Sequence, residues 1–352
     1  MRVSLDRLRP SDGVSASGPV LHPFRRAGRP PALFVLEQRR GGVLLQRGVI
    51  GAVELSGFAE RRVLPHEEVH AVGVQRQRSL AGRNGGWNEP VLLAQQGVGS
   101  LDAALAAVAC GEPAWSVLAA DGVRHCYWPV PDPAAQEWIT GQVGSRPALI
   151  ADGHHRYAAA LALQLEYEGL PGPWDRVLGL VVDSAVRPLT LRAIHRWLPM
   201  LDPRRVIDRA RQIFAVHEVD DRFLPSAGTL VVRGAEGCWS LSAVRPQAVD
   251  AAWDGCPTEW RTIDSALVDR LILGSMGDRE AAAVNYVHGE PDGALPEVGR
   301  GTLIALAAPA EGLVHRLALA GIRMPAKATS FGPKPLPGQL SYLFDAHLRK
   351  RV

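Results

Sequence analysis

Apolar and polar positions alternate along this chain in short blocks. Apolar runs predict strands at Ala32 to Leu36, Gly42 to Leu45, Val117 to Ala119, Cys126 to Val130, Pro147 to Ala151 and Val177 to Val182. Further strands are predicted at Thr229 to Arg233, Trp239 to Val244, Asn285 to His288 and Thr302 to Ala307. Helical patterns fall between them, at Leu101 to Ala109, Pro133 to Thr140, His155 to Tyr167, Pro203 to Phe214, Ser265 to Leu273 and Gly312 to Ala320. This interleaving predicts an α+β (mixed α/β) fold with several antiparallel pairs and no repeat. Trp197 to Pro203 reads as a seam, with Asp202 capping a helix that has Pro203 at its first position. The expected division is an N-terminal arm over 1–31, one domain over 32–200 and a second over 201–352.

Length and composition narrow the function classes. The 352 residues are 47% hydrophobic and 21% charged, enough to bury a sizeable core in roughly two domains. No run approaches the roughly 20 apolar residues needed to cross a bilayer, and the first residues lack the apolar centre of a signal peptide. A cytoplasmic location with no membrane partner is therefore expected. Cys110, Cys126, Cys238 and Cys256 show no paired spacing, which argues against a disulfide framework or a cysteine metal site. A net charge of +3 is too balanced to demand a nucleic acid partner, although Arg25-Arg26 and Arg39-Arg40 are local basic clusters. The sequence leaves the oligomeric state open.

Candidate chemistry concentrates in Ala151 to Leu161, ADGHHRYAAAL. A carboxylate, two imidazoles and a guanidinium surround one glycine where a strand hands over to an alanine-rich helix. Asp152 is a candidate N-cap, and Gly153 can take positive φ or admit a ligand close to the backbone. The N–H groups that begin the helix favour an anion. The same residues also describe an ordinary capped helix with a solvated first turn. Adjacent His154 and His155 diverge by about 100° on a helix, which argues against both binding one zinc ion.

Lysine usage marks a second segment. The basic side chains are almost all arginine, and two of the three lysines, Lys327 and Lys334, fall in MPAKATSFGPKPLPG. Proline and glycine there predict an ordered, irregular loop that lines a ligand. Lysine suits phosphate oxygens as a compact mobile charge, so Lys327 and Lys334 are candidates for anion binding. Upstream, His66-Glu67-Glu68-Val69-His70 matches the HExxH zinc pattern literally, with His66 and His70 spaced to share a helix face. A preceding proline, no long apolar helical flank and no third ligand segment count against that reading.

Ile150 to Tyr157, IADGHHRY, resembles the marker segment of the family catalogued as domain of unknown function 1015. Also similar to that family, in order, are His66-Glu67, Arg78, Asn88-Glu89-Pro90, His195-Arg196, Ile263-Asp264 and the closing MPAKATSFGPK. The likeness runs from about residue 32 onward. It implies a ParB/sulfiredoxin-like core with an additional mixed-sheet C-terminal half. Its DGHHR element resembles that of free serine kinases, which implies phosphoryl transfer to L-serine or a similar small amino acid. ATP, ADP or pyrophosphate would be the donor and Mg2+ the accompanying ion.

The resemblance assigns Gly153, Arg156, Lys327 and Lys334 to phosphate and Asp152 or His155 to the role of base or metal partner. His154 orients a neighbour, and His66, Arg78, Asn88, His195 and Arg196 are candidate substrate contacts. A family element of the type proline-proline-tyrosine-aspartate-valine, with an acidic residue in the N-terminal part, has no match here. Glu67 or Glu68 is expected to take the acid's place. The alternatives are a noncatalytic protein that binds a phosphometabolite or nucleotide, and a ParB-like nucleic-acid-associated protein, which the charge balance disfavours.

Overall fold

The structure, a computed structural model, describes residues 17–25, 30–167, 170–245, 251–276, 284–289, 295–296 and 300–344. Two compact units emerge. The first takes the chain up to Leu189 together with the residues from Pro333 onward, and the second is Thr190–Gly332.

The first unit is built on strands β1 (Leu21–His22), β2 (Leu33–Arg40), β3 (Val43–Glu54), β4 (Val63–Leu64) and β5 (Gly86–Trp87). It continues with β6 (Val91–Gln95), β7 (Trp115–Leu118), β8 (Arg124–Val130), β9 (Ala148–Asp152) and β10 (Arg176–Asp183). Its helices are α1 (Ala71–Asn84), α2 (Ser100–Val108), α3 (Pro133–Gly144) and α4 (His154–Glu166). The main sheet has the order β4-β9-β6-β10-β3-β2-β8-β7, with β1 added on β3. Two of its pairings are parallel, β6 with β10 and β4 with β9, so the sheet is mixed. The apolar runs Leu33–Leu36, Val91–Ala94, Ala148–Ile150 and Val177–Val182 are buried throughout, as central strands require.

The expected N-terminal arm is corrected by β1. Leu21 pairs with Val53 and Phe24 bridges Ala32, and both side chains are buried, so residues 17–25 belong to the first unit. Most of that arm, residues 1–16 and 26–29, lies outside the described residues. Helix α1 has no counterpart among the sequence expectations. Of its side chains only Ala81 is buried, so no apolar stripe announces it. Its signals are at the ends, where His70 accepts from the Gly73 N–H and Gly85 closes the helix with φ of 64°.

The second unit contains β11 (Thr190–Arg192), β12 (Ile194–Leu198), β13 (Ala215–Val219), β14 (Leu230–Gly234), β15 (Gly237–Ser242), β16 (Asn285–His288), β17 (Thr302–Ala305) and β18 (Ser330–Gly332). Its sheet order is β13-β15-β14-β17-β12-β16, all antiparallel, and β11 pairs separately with β18. The helices are α5 (Pro203–Ala210), α6 (Asp264–Leu267, continued by a π turn over Val268–Ile272) and α7 (Glu311–Leu319). Asp202 caps α5 with Pro203 in its first turn. The seam expected near residue 200 lies inside this unit, because β12 pairs with β16 and β17; the units instead change at Leu189.

The chain then returns to the first unit, where β19 (Tyr342–Leu343) pairs with β5. The segment expected to form one irregular loop is therefore divided. Ser330–Gly332 is a strand of the second unit, and Lys334 belongs to the first. Among the described residues no helix is long and apolar enough to cross a membrane.

His195 on β12 is buried, and its Nδ1 accepts the Leu306 N–H at 3.1 Å. Burial, followed by the nearby charges of Arg196 and His288, lowers its pKa from 6.5 to about 4. The unfolded chain thus takes a proton at a pH where the folded one refuses it. Stability should fall as pH drops from about 6.5 to about 4, by roughly 3 kcal/mol at the lower end. Urea unfolding across that range should show the slope, and His195→Gln should flatten it.

Candidate functional site

A register irregularity brings β9 to its end. Leu92 of β6 opposes Asp152 whereas Leu93 opposes Ile150, so β9 carries an extra residue at the turn. Gly153 follows with φ of 98°, and α4 starts at His154. The glycine is required twice. A side chain there would be strained, and its Cβ would sit 2.8 Å from the Arg156 guanidinium, which fills that space.

Asp152 does not cap the helix, contrary to expectation; Gly153 occupies the N-cap position. Two cations claim the carboxylate instead. Lys334 Nζ donates to Oδ1 at 2.6 Å, and Arg156 donates to Oδ2 at 2.7 Å. Burial raises the Asp152 pKa, but the charges of Arg156 and Lys334 and their hydrogen bonds outweigh it, so the group stays below the usual carboxylate range. Asp152 is accordingly an ionised anchor.

Arg156 is the hub of the turn. Besides Asp152 its guanidinium pairs with Glu89 and donates to the Pro90 carbonyl at 3.0 Å. Lys334 is held from the opposite side of the sheet order, because Gln38 on β2 donates to its carbonyl at 2.9 Å. Between β2 and β9 lie β3, β10 and β6, so this one residue bridges three intervening strands. The Asn88 carbonyl accepts from the Gly338 N–H, and the Gly85 carbonyl accepts from Phe344, which fastens the rest of the returning segment.

The two histidines grip the His66–His70 loop. The His66 N–H donates to His154 Nε2 at 3.2 Å, and the His70 N–H donates to His155 Nε2 at 3.3 Å. Gly73 makes room for the second ring, since a Cβ there would collide with His155 Cδ2. The loop is not helical, so His66 and His70 do not share a helix face as their spacing suggested. His66 donates from Nδ1 to the Ile150 carbonyl at 2.7 Å, which leaves Nε2 as the acceptor of the neutral ring. His66, Glu67 and His154 each present a ligand atom within 4.8 Å of the others, a group that could hold a metal ion. Tyr157 anchors the turn below, accepting the Ser56 N–H and donating to the Ser56 carbonyl, both at 3.0 Å.

The structure thus brings Asp152, Gly153, His154, His155, Arg156, Glu67, His66 and Lys334 into one neighbourhood. Arg78 and Asn88 belong to the same unit. Arg78 pairs with Glu166 at the opposite end of α4 from His154. Asn88 contributes its backbone, while its neighbour Glu89 supplies the charge. His195, Arg196 and Lys327 are in the second unit. There Arg196, fully buried, makes a two-pronged pair with Asp269 at 2.9 and 2.7 Å and donates to the Lys327 carbonyl. Lys327 takes φ of 54° and is exposed.

Glu89, Gln38 and Gly73 were not singled out from the sequence. Only Glu89 carried a signal, through the Asn88-Glu89-Pro90 segment. A separate small cleft, lined by Gln95, Ser100, Gln142, Arg146 and Asp183 among others, shares none of these residues.

Gly153→Ala should destabilise the chain by about 2 kcal/mol, because it combines a left-handed backbone with a displaced buried guanidinium. Denaturant unfolding of the variant against the parent measures it.

Several solved structures resemble the chain. SbnI with a C-terminal truncation, from Staphylococcus aureus, matches at 11% identity and a TM-score of 0.46, covering 86% of this chain and 89% of that one. A free serine kinase, as a point mutant in complex with ADP, matches at 14% identity and a TM-score of 0.41, covering 82% and 91%. A conserved hypothetical protein from Pyrococcus furiosus matches at 15% identity and a TM-score of 0.38, covering 84% and 94%. No curated protein matches. The model of the family described as protein of unknown function (DUF1015) matches residues 27–266, which span the DGHHR turn and most of the first unit, and the chain belongs to that family.

Proposed function

We propose that the chain transfers a phosphoryl group from a nucleotide or pyrophosphate to the hydroxyl of free L-serine or a similar small amino acid. The observation that carries this reading is the Asp152 carboxylate clamped between Arg156 and Lys334 at the start of α4. Two cations from distant parts of the chain are thereby held beside the N–H end of a helix of 13 residues, which is an arrangement for phosphate oxygens. Lys334 is the mobile partner, with a side chain 54% exposed, and it can turn from Asp152 to an incoming phosphate.

In the transfer, the acceptor oxygen forms a bond to phosphorus as the bond from phosphorus to the donor's bridging oxygen breaks, and the leaving group departs with that electron pair. The hydroxyl proton goes to Glu67, whose carboxylate is 31% exposed and faces both His66 and His154. His155 serves position rather than proton transfer, since its Nε2 already accepts the His70 N–H. Asp152, ionised and doubly paired, keeps the cations in place.

Mg2+ would accompany the donor's phosphates, but the described residues fit it poorly as a resident ion. It calls for oxygen ligands, and the carboxylates of Asp152 and Glu89 are engaged by Arg156 and Lys334 while Glu67 stands between two imidazoles.

Purified protein given L-serine and, in turn, ATP, ADP and pyrophosphate with Mg2+ should yield phosphoserine, read by phosphorus NMR or mass spectrometry. Lys334→Met should lower kcat/KM by at least about 10-fold while shifting stability by about 1 kcal/mol, since the lysine is half exposed and Asp152 keeps its pair with Arg156. Arg156→Ala is a poorer probe. Its guanidinium is buried, and removing it strands Asp152 and Glu89. Failure with every donor would remove the catalytic reading, and nucleotide or phosphoserine binding without turnover would leave a noncatalytic binding protein.

A further inference from the structure

His66 and Glu67 lie far from His154 in sequence, yet the His66 N–H contact to His154 sets the three side chains around one point. Glu67 stands between the rings, with Oε1 4.0 Å from His66 Nε2 and Oε2 3.9 Å from His154 Nδ1. Tetrahedral ligands about 2.1 Å from one ion stand about 3.4 Å apart, so this group, whose ligand atoms lie within 4.8 Å of one another, has to draw in around the ion. His66 already shows the outer-shell support of a metal ligand. Its Nδ1–H is fixed on the Ile150 carbonyl, which directs Nε2 toward the carboxylate.

We infer that His66 Nε2, a Glu67 oxygen and His154 Nδ1 form a binding site for a divalent transition metal of the Mn2+, Co2+ or Zn2+ class. Two imidazoles and one carboxylate are a donor set for these ions, whereas Mg2+ prefers oxygen. Binding through His154 Nδ1 moves that ring's proton to Nε2 and gives up the 3.2 Å contact from the His66 N–H. Glu67 is the accessible member, with the two rings buried behind it, so an ion can enter from its side. Three protein ligands leave further positions open to water or a substrate oxygen. A carboxylate that binds through one oxygen keeps the other for the acceptor proton, which deepens the phosphotransferase reading without requiring it.

Chelator-stripped full-length protein titrated with Co2+ should bind one equivalent, with visible absorption from a mixed nitrogen and oxygen site. Millimolar Mg2+ should not displace it. Glu67→Gln, at the exposed member, should weaken Co2+ binding by at least about 10-fold, and His154→Gln should do the same and shift the spectrum. No binding below millimolar Co2+, displacement by Mg2+, or unchanged affinity in a folded Glu67→Gln protein would overturn the inference. The readout involves neither serine nor a phosphoryl donor, so its failure is separable from failure of the proposed reaction.

Discussion

Glu89, Asp152 and, through Asp152, Lys334 are all referred to one buried guanidinium. Arg156 cannot leave water without partners, and Glu89, Asp152 and the Pro90 carbonyl supply them from a strand end and a loop. Satisfying that one cation fixes the distance between the end of β9 and the approach to β6. It also selects glycine at position 153, because the guanidinium lies where a side chain would be. The carboxylate that completes the pairing then becomes a fixed negative point on which Lys334 docks. Fold requirement and candidate site draw here on the same set of contacts.

The imidazoles follow a second constraint. A loop that is neither strand nor helix must place its N–H groups, and the residues from His66 to His70 place two of them on ring nitrogens of α4. This orients each ring, His154 with Nδ1 toward Glu67 and His155 with Nε2 toward His70. The consecutive histidines that diverge on a helix are thus not redundant: one turns to Glu67 and the other to the N-terminus of α1.

Regular elements were legible where apolar runs were long. The strands at Leu33–Leu36 and Val177–Val182, and the alanine-rich α4, are read directly from periodicity. Helix α1 was not, because its stability comes from its caps and its packing on α4 rather than from an apolar face. The turn at Asp152 was legible as a cluster of charged and imidazole side chains, but the partners of Asp152 were not. A capping aspartate and a salt-bridged one look alike until the partners are known, and Lys334 lies too far away in sequence to be paired with it by spacing. Lys327 illustrates the converse. Composition grouped it with Lys334, and the short pairing of β11 with β18 assigns the two lysines to different units.

Because β19 and Lys334 follow the whole of Thr190–Gly332, the first unit is discontinuous along the chain. During synthesis the sheet from β1 to β10 can emerge from the ribosome with its Asp152 and Arg156 in place, while the second cation is still untranslated. The clamp therefore closes last, and a nascent chain that stalls within the intervening unit carries the sheet without it.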